Sequence, residues 1–230
     1  MSDHQIRKKL SQGTGHTVAN RLFADAWRET IAYNRDFYER TGQAEAPLWW
    51  GERSSTSALL EGLRKAGALV LPEIPVSRKR RGYEPTAGRV DAWVWTEQAT
   101  YYIEFKHFYY GAGRSCRRKT FGDCWQALHQ QVRTMKSAVR ADAVEKPAWI
   151  CGMMLVSLYR EANTPDKACA LPEGWDDEFL ATKPCKEADW IGLWTPTDGI
   201  ELREFPSASE QQRWSHQPMV ALLIQAERFA

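Results

Sequence analysis

Two runs rich in aromatic and β-branched residues, 89–95 and 101–106, constrain this chain more than any other stretch. The polar segment 96–100 between them can turn, so together they read as a β-hairpin. With the turn centred near Glu97 and Gln98, Asp91 falls opposite Glu104. Side chains alternate along a strand, so Glu104 and Lys106 share one face while Ile103 and Phe105 share the other. The same rule sends Asp91, Trp93 and Trp95 to the Glu104 face, and Val90, Ala92 and Val94 to the opposite one. Apolar residues on both faces imply a central hairpin covered on both sides. Two facing carboxylates in such a place repel, and the cost is relieved by a proton, a cation or water. Either Lys106 is the relieving cation of a structural ion cluster, or a divalent metal sits between the acids and Lys106 handles a water.

At 230 residues the chain suits one domain with a sizeable core. Its formal net charge of +2 defines no partner, so the placement of charge carries the information. Five cysteines without a CxxC pair fit reduced thiols better than a disulfide framework or a zinc site. The longest apolar run, 149–159, is too short to span a bilayer and suits a buried strand. Arg7, Lys8 and Lys9 are not followed by the apolar run of a secretory signal. These features predict a soluble, cytoplasmic protein with no membrane partner.

Along the chain, residues 1–16 read as a loose polar arm. Val18, Leu22, Phe23, Ala26, Trp27 and Ile31 then recur at helical spacing up to about Arg40, with Thr17 as a cap and Thr41-Gly42 as the stop. Residues 1–46 are therefore an arm and packing helix, and 47–230 the main body, within one structural domain. A second helix lies within 47–66, with Leu59, Leu60, Leu63 and Ala66 as its buried stripe. Glu52 projects near that stripe if the helix reaches back so far, whereas Ser54, Ser55 or Thr56 could cap a shorter helix and leave Glu52 in a loop. Glu61 points away and reads as a surface charge. A strand follows over 68–77, then the hairpin, then a long helix opened by a Thr120/Asp123 capping box. Trp125, Leu128, Val132, Met135 and Val139 form that helix's apolar stripe, and Gln126, His129, Arg133, Lys136 and Arg140 a polar, basic face. Strand 149–159 completes the order helix, three strands, helix, strand over 47–160. Within the C-terminal elaboration, 161–230, residues 161–189 read as a loop-like insertion, and 189–195 and 218–226 as further strands or a closing helix.

Charge is concentrated at one place. If neighbouring strands pair antiparallel, the run Arg78, Lys79, Arg80, Arg81 and the run Arg114, Arg117, Arg118, Lys119 flank the Asp91/Glu104/Lys106 end of the sheet. Arginines that can hold phosphates around carboxylates that can hold a metal predict a nucleic-acid partner. Tyr109 and Tyr110, beside the second basic run, are candidates for stacking on bases, whereas Trp49, Trp50, Trp93 and Trp95 read as core. His107 reads as a core or loop histidine, and His129 as solvent-facing or phosphate-touching.

The helix–three strands–helix–strand order, with Asp91 on the second strand, Glu104-Phe105-Lys106 on the third and an acid on the preceding helix, resembles the PD-(D/E)XK nuclease superfamily over 47–159. Val90 stands where the motif's proline would be. The resemblance implies an α/β, restriction-endonuclease-like αβββαβ core: a mixed central sheet flanked by helices, here with an N-terminal helical extension. It further implies a metal-dependent endonuclease, DNA ahead of RNA as substrate, using Mg²⁺ or Mn²⁺. Asp91, Glu104 and the Phe105 carbonyl would hold the metal, with Glu52 completing the acidic set, while Lys106 orients the water. Gln126 or Gln130 would touch substrate or metal-bound water, and Arg133 would lie on the nucleic-acid face. Double-strand cutting would favour a homodimer. A module of the same fold that binds nucleic acid without cutting is the alternative.

Overall fold

The computed structural model of the chain describes residues 4–11, 15–78, 86–111, 119–139, 146–170, 173–196, 200–205 and 213–228. Arg40 is reached by a single long helix, α1 (His16–Arg40), which begins after Gly15 at φ 87° rather than at a Thr17 cap. After a 3₁₀ turn, Pro47–Trp49, helix α2 (Glu52–Lys65) starts at Glu52 itself, with Gly51 at its N-cap. The longer of the two sequence readings therefore holds. Strands β2 (Leu69–Arg78), β3 (Thr86–Trp95) and β4 (Thr100–Gly111) follow, then α3 (Phe121–Val139) and β5 (Ala148–Ala162). The Thr120/Asp123 box forms as read: Thr120 N–H donates to Asp123 Oδ2 at 2.9 Å and Asp123 N–H to Thr120 Oγ1 at 3.1 Å. The Thr120 N–H and the Thr120 hydroxyl, both donating to Oδ2, hold the Asp123 carboxyl below its ordinary pKa.

Two expectations change. Within the expected loose arm, residues 4–8 form strand β1 (His4–Lys8), which pairs antiparallel with β6 (Trp190–Trp194). Between β5 and β6 the expected loop contains three short helices: α4 (Pro165–Cys169), α5 (Trp175–Leu180) and α6 (Lys183–Glu187). Residues 218–226 fall inside a long strand, β8 (Arg213–Arg228), flanked by β5, β6 and the short β7 (Leu202–Phe205).

Among the described residues, eight strands form one mixed sheet in the order β1-β6-β8-β5-β4-β3-β2, with β7 beside β8. Only β4 and β5 run parallel, joined through α3; the other pairs are antiparallel. β5 is buried from Ala148 to Leu158 and shows alternate residues to two apolar layers. Cys151, Met153 and Leu155 pack with α1 and α2, and Ile150, Met154 and Val156 with α3 and the short helices. A Cβ on Gly152 would lie 2.9 Å from Leu128 Cγ and from Val132 Cγ2, so α3 rests directly on β5. α1 shares its apolar layer with α2 and the sheet and is part of the same core as the main body. Among the described residues, no helix is long and apolar enough to cross a membrane.

Candidate active site at a fork in the sheet

Strands β3 and β4 pair from Trp95↔Thr100 to Ala92↔Ile103, which centres the turn on Glu97 and Gln98. Past that point β4 runs on beside β5 as far as Gly111. The β2–β3 register passes from Pro72↔Ala92 to Ile74↔Val90, skipping Glu73 and Asp91, and Glu73 has φ 53°. Here the strict alternation also fails. Val90 packs in the α3 layer, while Ala92 and Val94 pack in the α1/α2 layer. The expectation that all three share a face is corrected, because the strand changes its lean at Asp91.

This fork leaves Phe105 facing the gap with both backbone groups needing partners. Asp91 Oδ2 accepts the Phe105 N–H at 2.7 Å, and Lys106 Nζ donates to the Phe105 carbonyl at 2.9 Å. The Asp91 carboxylate is thereby bonded to the very peptide that joins Glu104 to Phe105. Glu104 is 4% exposed, and its Oε1 accepts from Gln131 Nε2 on α3 at 2.6 Å. The Lys106 ammonium also lies 3.5 Å from Glu52 Oε1, at the first turn of α2. Asp91, Glu104, Lys106 and Glu52 thus gather around one fork, held from three directions: β4, α2 and α3.

The Glu52 end is tethered from the sheet. Tyr109 donates its hydroxyl to Trp49 O at 2.9 Å, and Ser157 donates to Leu48 O at 3.3 Å. A serine hydroxyl has one proton, so the His107 Nε2 lying 3.1 Å from Ser157 Oγ is the donor in that contact. Side chains of β4 and β5 therefore fix the 3₁₀ turn that leads into α2. His107 is a structural histidine, as read from sequence. Tyr109, expected to stack on bases, is used in this tether through its hydroxyl, and Tyr110 packs on Phe121 and Phe179.

Other sequence candidates are distributed differently. Glu52, expected to complete a metal-binding acidic set, faces Lys106, and among the described residues no three His, Cys, Asp or Glu form a group that could hold a metal ion. Glu61 pairs with Arg64 at 3.7 Å, consistent with a surface charge. Gln126, Gln130 and Arg133 are exposed on α3, and the amide that reaches Glu104 belongs to Gln131. Gln131 sits three residues after Leu128 and four before Met135, so a polar residue beside the apolar stripe was the signal that could have found it. His129 is half-buried against Trp125, with ring centroids 4.8 Å apart, and burial lowers its pKa; the expected solvent-facing role is corrected. Trp50 is 41% exposed, against the expectation of a core residue. Arg78 ends β2 opposite Thr86, and Lys119 is exposed just before α3. Lys79, Arg80, Arg81, Arg114, Arg117, Arg118 and Arg140 lie outside the described residues. The antiparallel pairing does bring Arg78 and Gly111, where the chain enters the two basic runs, to the same end of the sheet.

Against family models, curated proteins and solved structures, the chain has no match.

Proposed function

We propose that this protein is a divalent-metal-dependent endonuclease with a restriction-endonuclease-like core of the PD-(D/E)XK type, acting on DNA ahead of RNA. The observation that carries the reading is the meeting of Asp91, Glu104 and Lys106 where β3 leaves β4. The order α2-β2-β3-β4-α3-β5, with β4 and β5 parallel, supports it.

The donor set suits a hard cation: two carboxylates and the Phe105 carbonyl, all oxygen, leave room for the several waters that Mg²⁺ retains. Gln131 Oε1 is buried without a hydrogen-bond partner while its amide nitrogen holds Glu104, an acceptor suited to a metal-bound water. Asp91, Glu104 and the Phe105 carbonyl would hold Mg²⁺ or Mn²⁺, which when bound acidifies a water and offsets charge on the phosphoryl oxygens. Lys106 contributes a positive charge beside those acids, orienting the water and stabilising negative charge on the substrate. Glu52 keeps the ammonium at the fork, and Gln131 keeps Glu104 aimed. The arginine-rich segments that begin beyond Arg78 and Gly111 would meet the phosphate backbone.

Incubation of plasmid and linear DNA with the protein and Mg²⁺ or Mn²⁺ should give cleavage that falls at least about a hundredfold in Asp91→Ala and Lys106→Ala, the size of effect typical for removing one electrostatic group from a reacting centre. Cutting that survives both substitutions sinks the proposal. One observation favours a second reading, a nucleic-acid-binding module that does not cut: Asp91 and Lys106 already serve the Phe105 backbone, a duty that needs no ion. That reading predicts salt-sensitive binding and no cleavage with any divalent metal.

A further inference from the structure

The Phe105 carbonyl, one of the oxygens that would hold a divalent ion, already accepts a hydrogen bond from Lys106 Nζ at 2.9 Å. A lysine ammonium is a compact point charge on a flexible stem. Two cations held by one oxygen repel, and the repulsion is stronger in a partly buried place than in open water. The fork is such a place: the Lys106 side chain is 25% exposed and Glu104 is 4% exposed. Phe105 thus meets an anion at its N–H, from Asp91 Oδ2, and a cation at its carbonyl. The ammonium occupies the backbone oxygen that an incoming ion needs.

A second place for that ammonium lies close by. Glu52 Oε1 is 3.5 Å from Lys106 Nζ. A closed ammonium–carboxylate hydrogen bond spans about 2.7–2.9 Å, so this pair stands open. A small rotation of the lysine stem closes it, and Glu52, with its side chain 49% exposed, has room to meet the ammonium. Among the fork residues, Glu52 serves the lysine and not the Phe105 backbone.

We infer that Lys106 is the built-in counter-ion of the fork: it holds the Phe105 carbonyl while no divalent ion is bound, and it closes on Glu52 when that carbonyl passes to the ion. The native lysine therefore weakens ion binding. Its donors are released from the backbone, and become available to water and phosphate, only in the loaded site. The inference rests on the metal-dependent reading of the fork and adds to it how loading is regulated.

Calorimetric titration of Mn²⁺ into the full chain, without nucleic acid, tests it. Lys106→Met is expected to bind Mn²⁺ at least about tenfold tighter than the parent, a gain of about 1.4 kcal/mol. Lys106→Gln, which keeps a donor and drops the charge, should also bind more tightly, both variants with the parent's circular dichroism spectrum. Glu52→Gln should weaken Mn²⁺ about threefold in the parent and leave Lys106→Met unchanged, because Glu52 acts through the lysine and the two substitutions couple. Mn²⁺ binding that Asp91→Ala weakens but neither Lys106 variant tightens would overturn the inference alone. So would a Glu52→Gln loss of equal size in both backgrounds, the mark of a direct ligand. No Mn²⁺ binding to any of these proteins would overturn the inference together with the metal-dependent reading.

Discussion

Phe105 has both backbone groups taken by charged side chains, one acidic and one basic. Hydrogen bonds to charged groups contribute about 1.5–3 kcal/mol each, so Asp91 and Lys106 matter to folding as well as to the proposed chemistry. The β3–β4 register from Trp95↔Thr100 to Ala92↔Ile103 was legible, because a symmetric turn predicts it, although the pairing stops one residue short of Asp91 and Glu104. The break in alternation at Asp91 was not, because it arises from the parting of β3 and β4 and leaves no trace in local pattern. Gln131 was overlooked for a different reason: a carboxamide beside an apolar stripe gains meaning only once its buried partner is known. Replacing Gln131 with leucine removes a donor from a carboxylate that is 4% exposed. The expected loss is about 1–3 kcal/mol, a fall in melting temperature of about 2–12 °C for a chain of this size. A thermal melt within a degree of the parent would show that this hydrogen bond contributes nothing.

At the scale of elements, α1 and α2 touch through a glycine. A Cβ on Gly62 would lie 2.1 Å from Thr30 Oγ1 and 2.5 Å from the Ala26 carbonyl, and the carbonyl cannot rotate away. Gly62→Ala should therefore push the helices apart at a cost of about 1–3 kcal/mol, shifting the α2 turn that bears Glu52. Gly122→Ala, where the nearest neighbour would be Thr120 Oγ1 at 3.8 Å, is the control and should leave the urea midpoint nearly unchanged. Equal midpoints for the two variants would refute the close-packing account. Helices α1, α2 and α3 were readable from helical spacing of their apolar residues, and strands β2 to β5 from runs rich in apolar, aromatic and β-branched residues. β1 was not: five residues of mixed polarity become a strand only by pairing with β6, far along the chain. Helices α4 to α6 have five or six residues each, too few for a period to register. The 3₁₀ turn before α2 is held by Tyr109 and Ser157, contacts between segments far apart in sequence.

For the whole molecule, acidity should weaken the fold through two histidines. Burial lowers the pKa of His129, with Arg133 and Lys183 adding to it and Glu187 and Asp189 opposing; burial also lowers that of His216, with Glu201 opposing. A folded-state pKa below the unfolded value of about 6.5 means that the unfolded chain takes up the proton first. This contribution to stability is whole above that value and declines as the pH falls below it. Urea midpoints at about pH 7.5 and about pH 5.5 bracket the window. The double variant His129→Gln/His216→Gln should lose less on acidification than the parent; an equal loss would assign the acid sensitivity to other groups.

The fork carries a consequence of its own. Glu104 rides on a strand clamped by β5, whereas beyond Ala92 the strand bearing Asp91 leans through Val90 on the α3 layer. No ladder pair spaces the two acids; the gap between them is kept by the single Asp91–Phe105 hydrogen bond and by how tightly the interior is wedged. Heat that slackens the wedge should silence any metal-dependent cutting several degrees before the secondary structure melts. Loss of both signals at one temperature would mean that the two supports move as a single block.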